Sequence, residues 1–138
     1  AHGIPVGCDI AEEDVIPDEI DMMVLPGGMP GTLNLERSAK VNAFVDYAYE
    51  NQKLICAICA APSILGHKGM LKGKKAVCFP GFESELEGAE LSDSFVVTDG
   101  NIITAKGMGS AVKFGIAIGA AFAGEAKMKK IEESLQCS

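Results

Sequence analysis

The chain has 138 residues, 48% of them hydrophobic, and a formal net charge of -7. This length favours one domain, residues 1–138, with enough apolar side chains for a core. The negative charge argues against nucleic acid and anionic membranes as general partners, and the longest apolar run, residues 114–124, is too short to span a bilayer. Five unevenly spaced cysteines without a signal peptide favour reduced thiols in the cytoplasm over a disulfide framework.

Apolar runs and helical stripes alternate along the chain. Short runs and a turn signal at Asp99-Gly100-Asn101 predict strands at 20–25, 54–58, 75–79, 95–98 and 102–105. Apolar residues at helical spacing predict helices at 38–51 (with Ser38 as N-cap), 60–68, 110–123 and 125–136. Alternating strands and helices indicate an α/β fold with a mostly parallel sheet between helices.

Functional residues in such folds lie at the carboxyl ends of the strands, and two loops here meet that condition. One is the PGGMPG loop, residues 26–31, which follows the strand ending at Leu25. The other begins with Cys59, directly after the strand ending at Ile58. The sequence therefore directs attention to these two loops as parts of one site.

Cys56 and Cys59 are three residues apart, which raises the question of a redox pair or a metal site. An extended run of three residues spans about 10 Å, whereas a disulfide needs Cα atoms within about 7 Å. A zinc site needs a second pair of ligands, and the sequence has neither a second CxxC motif nor a pair of histidines. Both interpretations are disfavoured, and no metal is predicted.

A third interpretation is a nucleophile elbow, a sharp strand-to-helix turn that projects a reactive side chain from the top of the sheet. Cys59 occupies that position, where the positive end of the following helix dipole favours the thiolate. The amides of Ala60 and of the Gly27-Gly28 loop could hold an oxyanion there. The alternative is that Cys59 is a small core residue, and the strand–turn context alone leaves both interpretations open.

Four ordered motifs resemble the ThiJ/PfpI superfamily, in the branch of DJ-1 and its bacterial relatives. They are LPGGMPG, AICAAPSILG, GKKAVCFPGFE and VVTDGNIITAKGMGSAVKFGIAI, and the resemblance covers nearly the whole chain, from about Gly3 to Leu135. It implies a flavodoxin-like sandwich, usually a homodimer, that works without a cofactor. It also implies Cys59 as the reactive cysteine, with the amides of Gly28 and Ala60 lining its pocket.

The chain departs from the family pattern at two places near this cysteine. Ala60 stands where the members regarded as peptidases have a histidine, and Phe79 replaces the histidine that precedes a proline in the DJ-1 pattern. His67 lies two helical turns past Cys59, too far for a Cys–His dyad. A peptidase is therefore disfavoured, and His67 is interpreted as an exposed or interface residue.

The stretch Lys106-Gly107-Met108-Gly109 resembles the family's RGPG turn and does not fit a dinucleotide fingerprint, whose third glycine would fall at Val112. With Phe79, the residues Lys106, Gly107 and Gly109 are predicted to form the pocket rim or a dimer contact. The remaining thiols Cys8 and Cys78 are interpreted as structural or secondary oxidation sites, and Cys137 as a tail thiol.

Family members carry about 50 further N-terminal residues, which supply the first strand, the first helix and a glutamate that hydrogen-bonds the cysteine. We therefore expect this chain to be a fragment without that strand and helix, the missing segment being either a separate chain or left out of this sequence. The local acids Glu83 and Glu85 do not match the position of the family glutamate.

The resemblance implies an enzyme that acts on small dicarbonyls. The expected activity is a cofactor-free glyoxalase that converts methylglyoxal to lactate, or a related protein deglycase, with Cys59 as nucleophile. The alternative is a redox-sensing stress-response protein whose reactive cysteine is oxidised to sulfenic or sulfinic acid. Nothing in the residues supports a role in thiazole synthesis.

Overall fold

The computed structural model describes residues 2–136, and its centre is a four-stranded sheet with the order β1-β2-β6-β5. The strands are β1 (Met22–Leu25), β2 (Leu54–Ile58), β3 (Lys75–Ala76), β4 (Glu90–Leu91), β5 (Val96–Asp99) and β6 (Ile102–Ala105). β1, β2 and β6 run parallel, and β5 pairs antiparallel with β6. β3 and β4 form a separate two-stranded parallel sheet.

Within residues 2–136, five helices connect and flank these strands. They are α1 (Gly31–Arg37), α2 (Ala39–Glu50), α3 (Pro62–His67), α4 (Ala111–Ala123) and α5 (Glu125–Leu135). Single 3-10 turns lie at Glu12–Asp14, Pro17–Glu19, Glu83–Glu85 and Met108–Ser110. Among the described residues, no helix has both the length and the apolarity needed to cross a membrane.

The middle strand β2 is buried on both faces, which explains why its sequence LICAI is continuously apolar. Ile55 and Ala57 pack in one cluster with residues of α2 and α3. Cys56 points to the other face, where it packs with Ile103 and with Phe114 of α4. Because side chains alternate along a strand, these two clusters lie on opposite faces of the sheet. The result is the predicted α/β sandwich.

Several predicted elements are confirmed. β2 and β6 have the predicted bounds, β5 and β6 form the predicted hairpin, and the Ser38 hydroxyl caps α2 by accepting a hydrogen bond from the Val41 amide at 3.2 Å. The first strand is shorter than predicted, since β1 begins at Met22 rather than at residue 20.

Two elements were not predicted, and two others are shorter than predicted. The sequence pattern missed α1 and β4 altogether. The helix predicted at 60–68 begins only at Pro62, because Ala60 and Ala61 form the turn that precedes it. The strand predicted at 75–79 ends at Ala76, since the Val77 amide bonds to the Thr104 hydroxyl at 3.0 Å instead of to strand backbone.

Candidate active site

Cys59 is the first residue after β2, and its backbone has a left-handed conformation with φ of 66°. Its amide donates to the Ala105 carbonyl at 2.9 Å, and its carbonyl accepts from the Phe79 amide at 2.8 Å. A non-glycine residue in such a conformation is strained by about 1–3 kcal/mol and persists only where neighbours hold it. The two hydrogen bonds supply that restraint, so the turn has the geometry expected of a nucleophile elbow.

Gly27 packs directly against this turn. A Cβ added to Gly27 would lie 2.5 Å from the Cys59 Cβ and 2.7 Å from the Ile58 carbonyl oxygen. No side chain fits there, so the residue type is fixed by the close approach of the PGGMPG loop to the elbow. The structure thus brings together the two loops that the sequence singled out.

Gly28 follows Gly27 in the loop, and Ala60 follows Cys59 in the turn. Gly28 has φ of 88°, and its carbonyl accepts from both the amide and the hydroxyl of Thr32, at 2.8 and 2.9 Å. Within residues 2–136, the amides of Gly28 and Ala60 donate to no protein acceptor. Gly28 is exposed and Ala60 is buried, and amides without a protein acceptor are the donors that an oxyanion site uses.

The three cysteines near the sheet differ in exposure. Cys59 is partly exposed, whereas Cys56 and Cys78 are buried. Burial raises the pKa of Cys56 to about 12 and that of Cys78 to about 11, with the charge of Glu83 adding to the effect at Cys78. All three are free thiols, so no Cys56–Cys59 disulfide is present and Cys56 is a bystander in the strand. Cys137 lies outside the described residues.

An open groove of about 190 Å³ lies next to Phe79, and its described lining does not include Cys59, Gly27, Gly28 or Ala60. Its lining includes four predicted rim residues, Phe79, Lys106, Gly107 and Gly109. Gly107 packs closely on the aromatic ring of Phe79, since a Cβ there would lie 3.1 Å from a ring carbon. Because the Phe79 amide also binds the Cys59 carbonyl, the groove and the elbow share one residue.

The groove is mainly apolar, and two lysine ammonium groups lie near one of its aromatic rings. Phe95 also lines it and is 60% exposed, and the ammonium groups of Lys106 and Lys113 lie 5.8 and 5.6 Å from the centre of its ring. Phe95 was not among the site residues predicted from the sequence. Phe95 precedes β5, so its position depends on how β5 pairs with β6. The turn signal predicts this pairing, but it does not predict which side chains the pairing leaves exposed.

His67 does not interact with Cys59. Its Nδ1 lies 2.5 Å from a carboxylate oxygen of Glu36, and its Nε2 lies 2.6 Å from one of Glu85. Both ring nitrogens are thereby engaged away from the elbow, in agreement with the expectation that no Cys–His dyad exists. Across residues 2–136, no three His, Cys, Asp or Glu side chains are grouped so that they could hold a metal ion.

An α/β sandwich with a cysteine at the elbow after its central strand is the arrangement that the sequence motifs led us to expect. Residues 1–121 match the model of the DJ-1/PfpI family, and the chain belongs to that family.

Relatives with known names support this assignment. The chain is 33% identical to protein dj-1beta of Drosophila melanogaster over 92% of its own length and 69% of that protein. It is 36% identical to a deglycase of Thermococcus kodakarensis over 76% of its own length and 64% of the relative. A solved structure of a DJ-1 superfamily protein from Salmonella typhimurium, carrying a cysteine-to-alanine mutation, superposes with a TM-score of 0.91, at 33% identity, over 99% of this chain and 75% of that one.

The chain does not span the full length of these relatives. It covers from 31% to 69% of the lengths of the first three curated relatives. The family and its fold are established for this chain. Because the chain covers only part of these relatives, the activity, substrates and partners of the whole protein are given below as proposals.

Proposed function

We propose that the protein is a cysteine-dependent, cofactor-free glyoxalase or deglycase that acts on methylglyoxal-type dicarbonyls or their adducts. The observation that carries this proposal is the Cys59 turn, with φ of 66° and Gly27 packed against it. A strained, partly exposed thiol held between two loops is arranged for attack on an electrophile. The deglycase name of the archaeal relative agrees with this chemistry.

In the proposed reaction the Cys59 thiolate adds to the aldehyde carbon of methylglyoxal, and a hemithioacetal forms. The amides of Gly28 and Ala60 stabilise the oxyanion. A general base then moves the proton from the former aldehyde carbon to the neighbouring ketone carbon, which yields a lactoyl thioester. Water hydrolyses that thioester, so the net reaction is methylglyoxal plus water to lactate, and the thiol is regenerated.

We propose that the general base comes from a segment outside residues 2–136. β1 is an edge strand that pairs only with β2 among the described strands, and Val24 on it is exposed. The 13-residue helix α4 carries almost only apolar side chains, yet Phe114 is its one buried residue. An added strand and helix, in the same polypeptide or in a separate chain, would cover these surfaces and supply a carboxylate to the thiol.

We also propose that two copies associate through the groove next to Phe79. Phe79, Phe95 and Met108 are exposed around it, and Met108 is 86% exposed. Apolar side chains clustered in this way are typical of an interface. The free thiols fit a reducing compartment, for which we propose the cytoplasm.

The test is lactate formation from methylglyoxal by the wild-type protein and two cysteine variants. Cys59→Ser is expected to abolish lactate formation, because the hydroxyl is a far weaker nucleophile than the thiolate. Cys78→Ser, which also removes one thiol near the elbow, is the matched control and is expected to retain most of the activity. Lactate formation by Cys59→Ser at the wild-type rate would refute the proposal.

A redox sensor is the second candidate, and the contrast among the thiols favours it. Cys59 is partly exposed, whereas burial keeps Cys56 and Cys78 as thiols, so peroxide would oxidise Cys59 before either of these two. Peroxide treatment followed by peptide mass spectrometry distinguishes the two functions. Rapid oxidation of Cys59 in a protein that forms no lactate would support the sensor over the enzyme.

A further inference from the structure

His67 joins three separate elements through its two ring nitrogens. The residue ends α3, while Glu36 lies near the end of α1 and Glu85 belongs to the Glu83–Glu85 turn. The ring is held between the two carboxylates, with Nδ1 at 2.5 Å from one and Nε2 at 2.6 Å from the other. We call this arrangement of Glu36, His67 and Glu85 the His67 bridge.

The protonation state of the ring decides whether the His67 bridge can form. A carboxylate only accepts hydrogen bonds, and a neutral imidazole carries one N–H, so it can donate to only one of the two acids. The imidazolium carries two N–H groups and can donate to both. Both ring nitrogens lie at hydrogen-bond distance from carboxylate oxygens. This geometry therefore requires the imidazolium form of His67.

The surroundings of the ring fit this interpretation. The hydrogen bonds that the ring donates to Glu36 and Glu85 raise the pKa of His67, and their effect exceeds that of burial, which lowers it. The next residue, Lys68, turns away and pairs with Asp46 of α2 at 2.7 Å, so it does not compete for the two acids. The positive ring thus faces one carboxylate from each of the two elements that it joins.

The elements joined by the bridge are those that carry the elbow and its neighbouring loop. α3 follows Cys59 after a short turn, and α1 follows the PGGMPG loop, whose Gly27 touches Cys59. In α3 itself, Gly66 packs so closely on the Glu83–Glu85 turn that an added Cβ would lie 2.0 Å from the Glu85 carbonyl oxygen. A change at His67 therefore alters how α1, α3 and the Glu83–Glu85 turn pack against one another.

We propose that the His67 bridge is a pH-dependent contact between α3, α1 and the Glu83–Glu85 turn. The protonated ring binds both carboxylates, and one of these two hydrogen bonds is lost when the ring loses its proton. The His67 bridge is independent of whether Cys59 is catalytic. Its contribution to stability is complete below the ordinary pKa of 6.5. That contribution is lost as the pH rises through the elevated folded-state pKa.

A titration of the ring by nuclear magnetic resonance tests the proposal directly. The chain has two histidines, and His2→Gln leaves His67 as the one imidazole in the spectrum. We expect both ring nitrogens to be protonated at pH 6.5 and the titration midpoint to lie above that value. Glu36→Gln and Glu85→Gln should each lower the midpoint, whereas Lys68→Gln, which breaks the neighbouring ion pair, should leave it in place.

Thermal unfolding provides the second readout. His67→Arg keeps a positive charge and several N–H donors at every pH, so it can bind both carboxylates above the range in which histidine titrates. Between about pH 6 and pH 8.5, we expect the melting temperature of the wild type to fall by about 2–4 °C relative to that of His67→Arg. A midpoint at or below 6.5, or melting temperatures that run parallel across this range, would overturn the proposal.

Discussion

Gly27→Ala tests the contact between the PGGMPG loop and the elbow. The added Cβ would lie 2.5 Å from the Cys59 Cβ and 2.7 Å from the Ile58 carbonyl oxygen, and the latter is backbone that cannot rotate away. Ordinary contact requires a retreat of about 1 Å, and such overpacking costs about 1–3 kcal/mol of the free energy of unfolding. A shift of about 1 Å at the reacting groups also lowers a rate by on the order of 100-fold.

The assay measures urea unfolding and lactate formation in parallel, at a temperature at which circular dichroism shows the variant to be folded. The matched control is Gly31→Ala, because a Cβ at this first residue of α1 meets nothing within 4 Å. Alanine replaces glycine in a helix with a gain of up to about 1 kcal/mol, so the control should be at least as stable as the wild type. If Gly27→Ala matched this control in both stability and rate, the packing argument would be refuted.

Three further changes probe the same structure. Gly66→Ala should be more destabilising than Gly27→Ala, since its Cβ would lie 2.0 Å from the Glu85 carbonyl oxygen; chemical denaturation measures this, and a loss under about 1 kcal/mol contradicts the close packing. Cys59→Gly should be more stable than Cys59→Ala by about 1 kcal/mol, because glycine adopts the positive φ without strain, and equal unfolding midpoints would argue against that strain. At about pH 8, iodoacetamide should label Cys59 but leave Cys56 and Cys78 as thiols, since burial raises their pKa values. Above about pH 9 the same pKa shifts should reduce the free energy of unfolding, because these two thiols ionise in the unfolded chain before they ionise in the folded one. Peptide mass spectrometry and pH-dependent unfolding check both outcomes, and early labelling of Cys56 would contradict its burial.

The sequence predicted the elements whose signal is local. β2 is a continuous apolar run that a turn ends, and α2 begins at a serine whose hydroxyl caps it. By contrast α1 was missed, because its seven residues offer only Leu33 and Leu35 as apolar positions and its N-cap, Pro30, makes no side-chain hydrogen bond. The helix instead starts from the Gly28 carbonyl, which accepts two hydrogen bonds from Thr32.

The candidate site shows the same division. Position after a strand and proximity to a glycine loop identified Cys59 and Gly27, because both follow from the order of elements in an α/β fold. The left-handed backbone of Cys59 could not be predicted, since it depends on hydrogen bonds to Ala105 and Phe79 from distant parts of the chain. The role of His67 was likewise hidden, as its two acids come from positions 36 and 85.

We propose that the Cys59 thiol performs the reaction, and partial alkylation measures how much of the activity depends on that one thiol. Samples with graded iodoacetamide labelling are assayed for lactate formation, and peptide mass spectrometry gives the labelled fraction of each cysteine. We predict that the lost fraction of activity equals the labelled fraction of Cys59 and is independent of labelling at the exposed thiol Cys8. Activity that persists after complete labelling of Cys59, or that disappears when Cys8 alone is labelled, would show that Cys59 is not the reacting thiol.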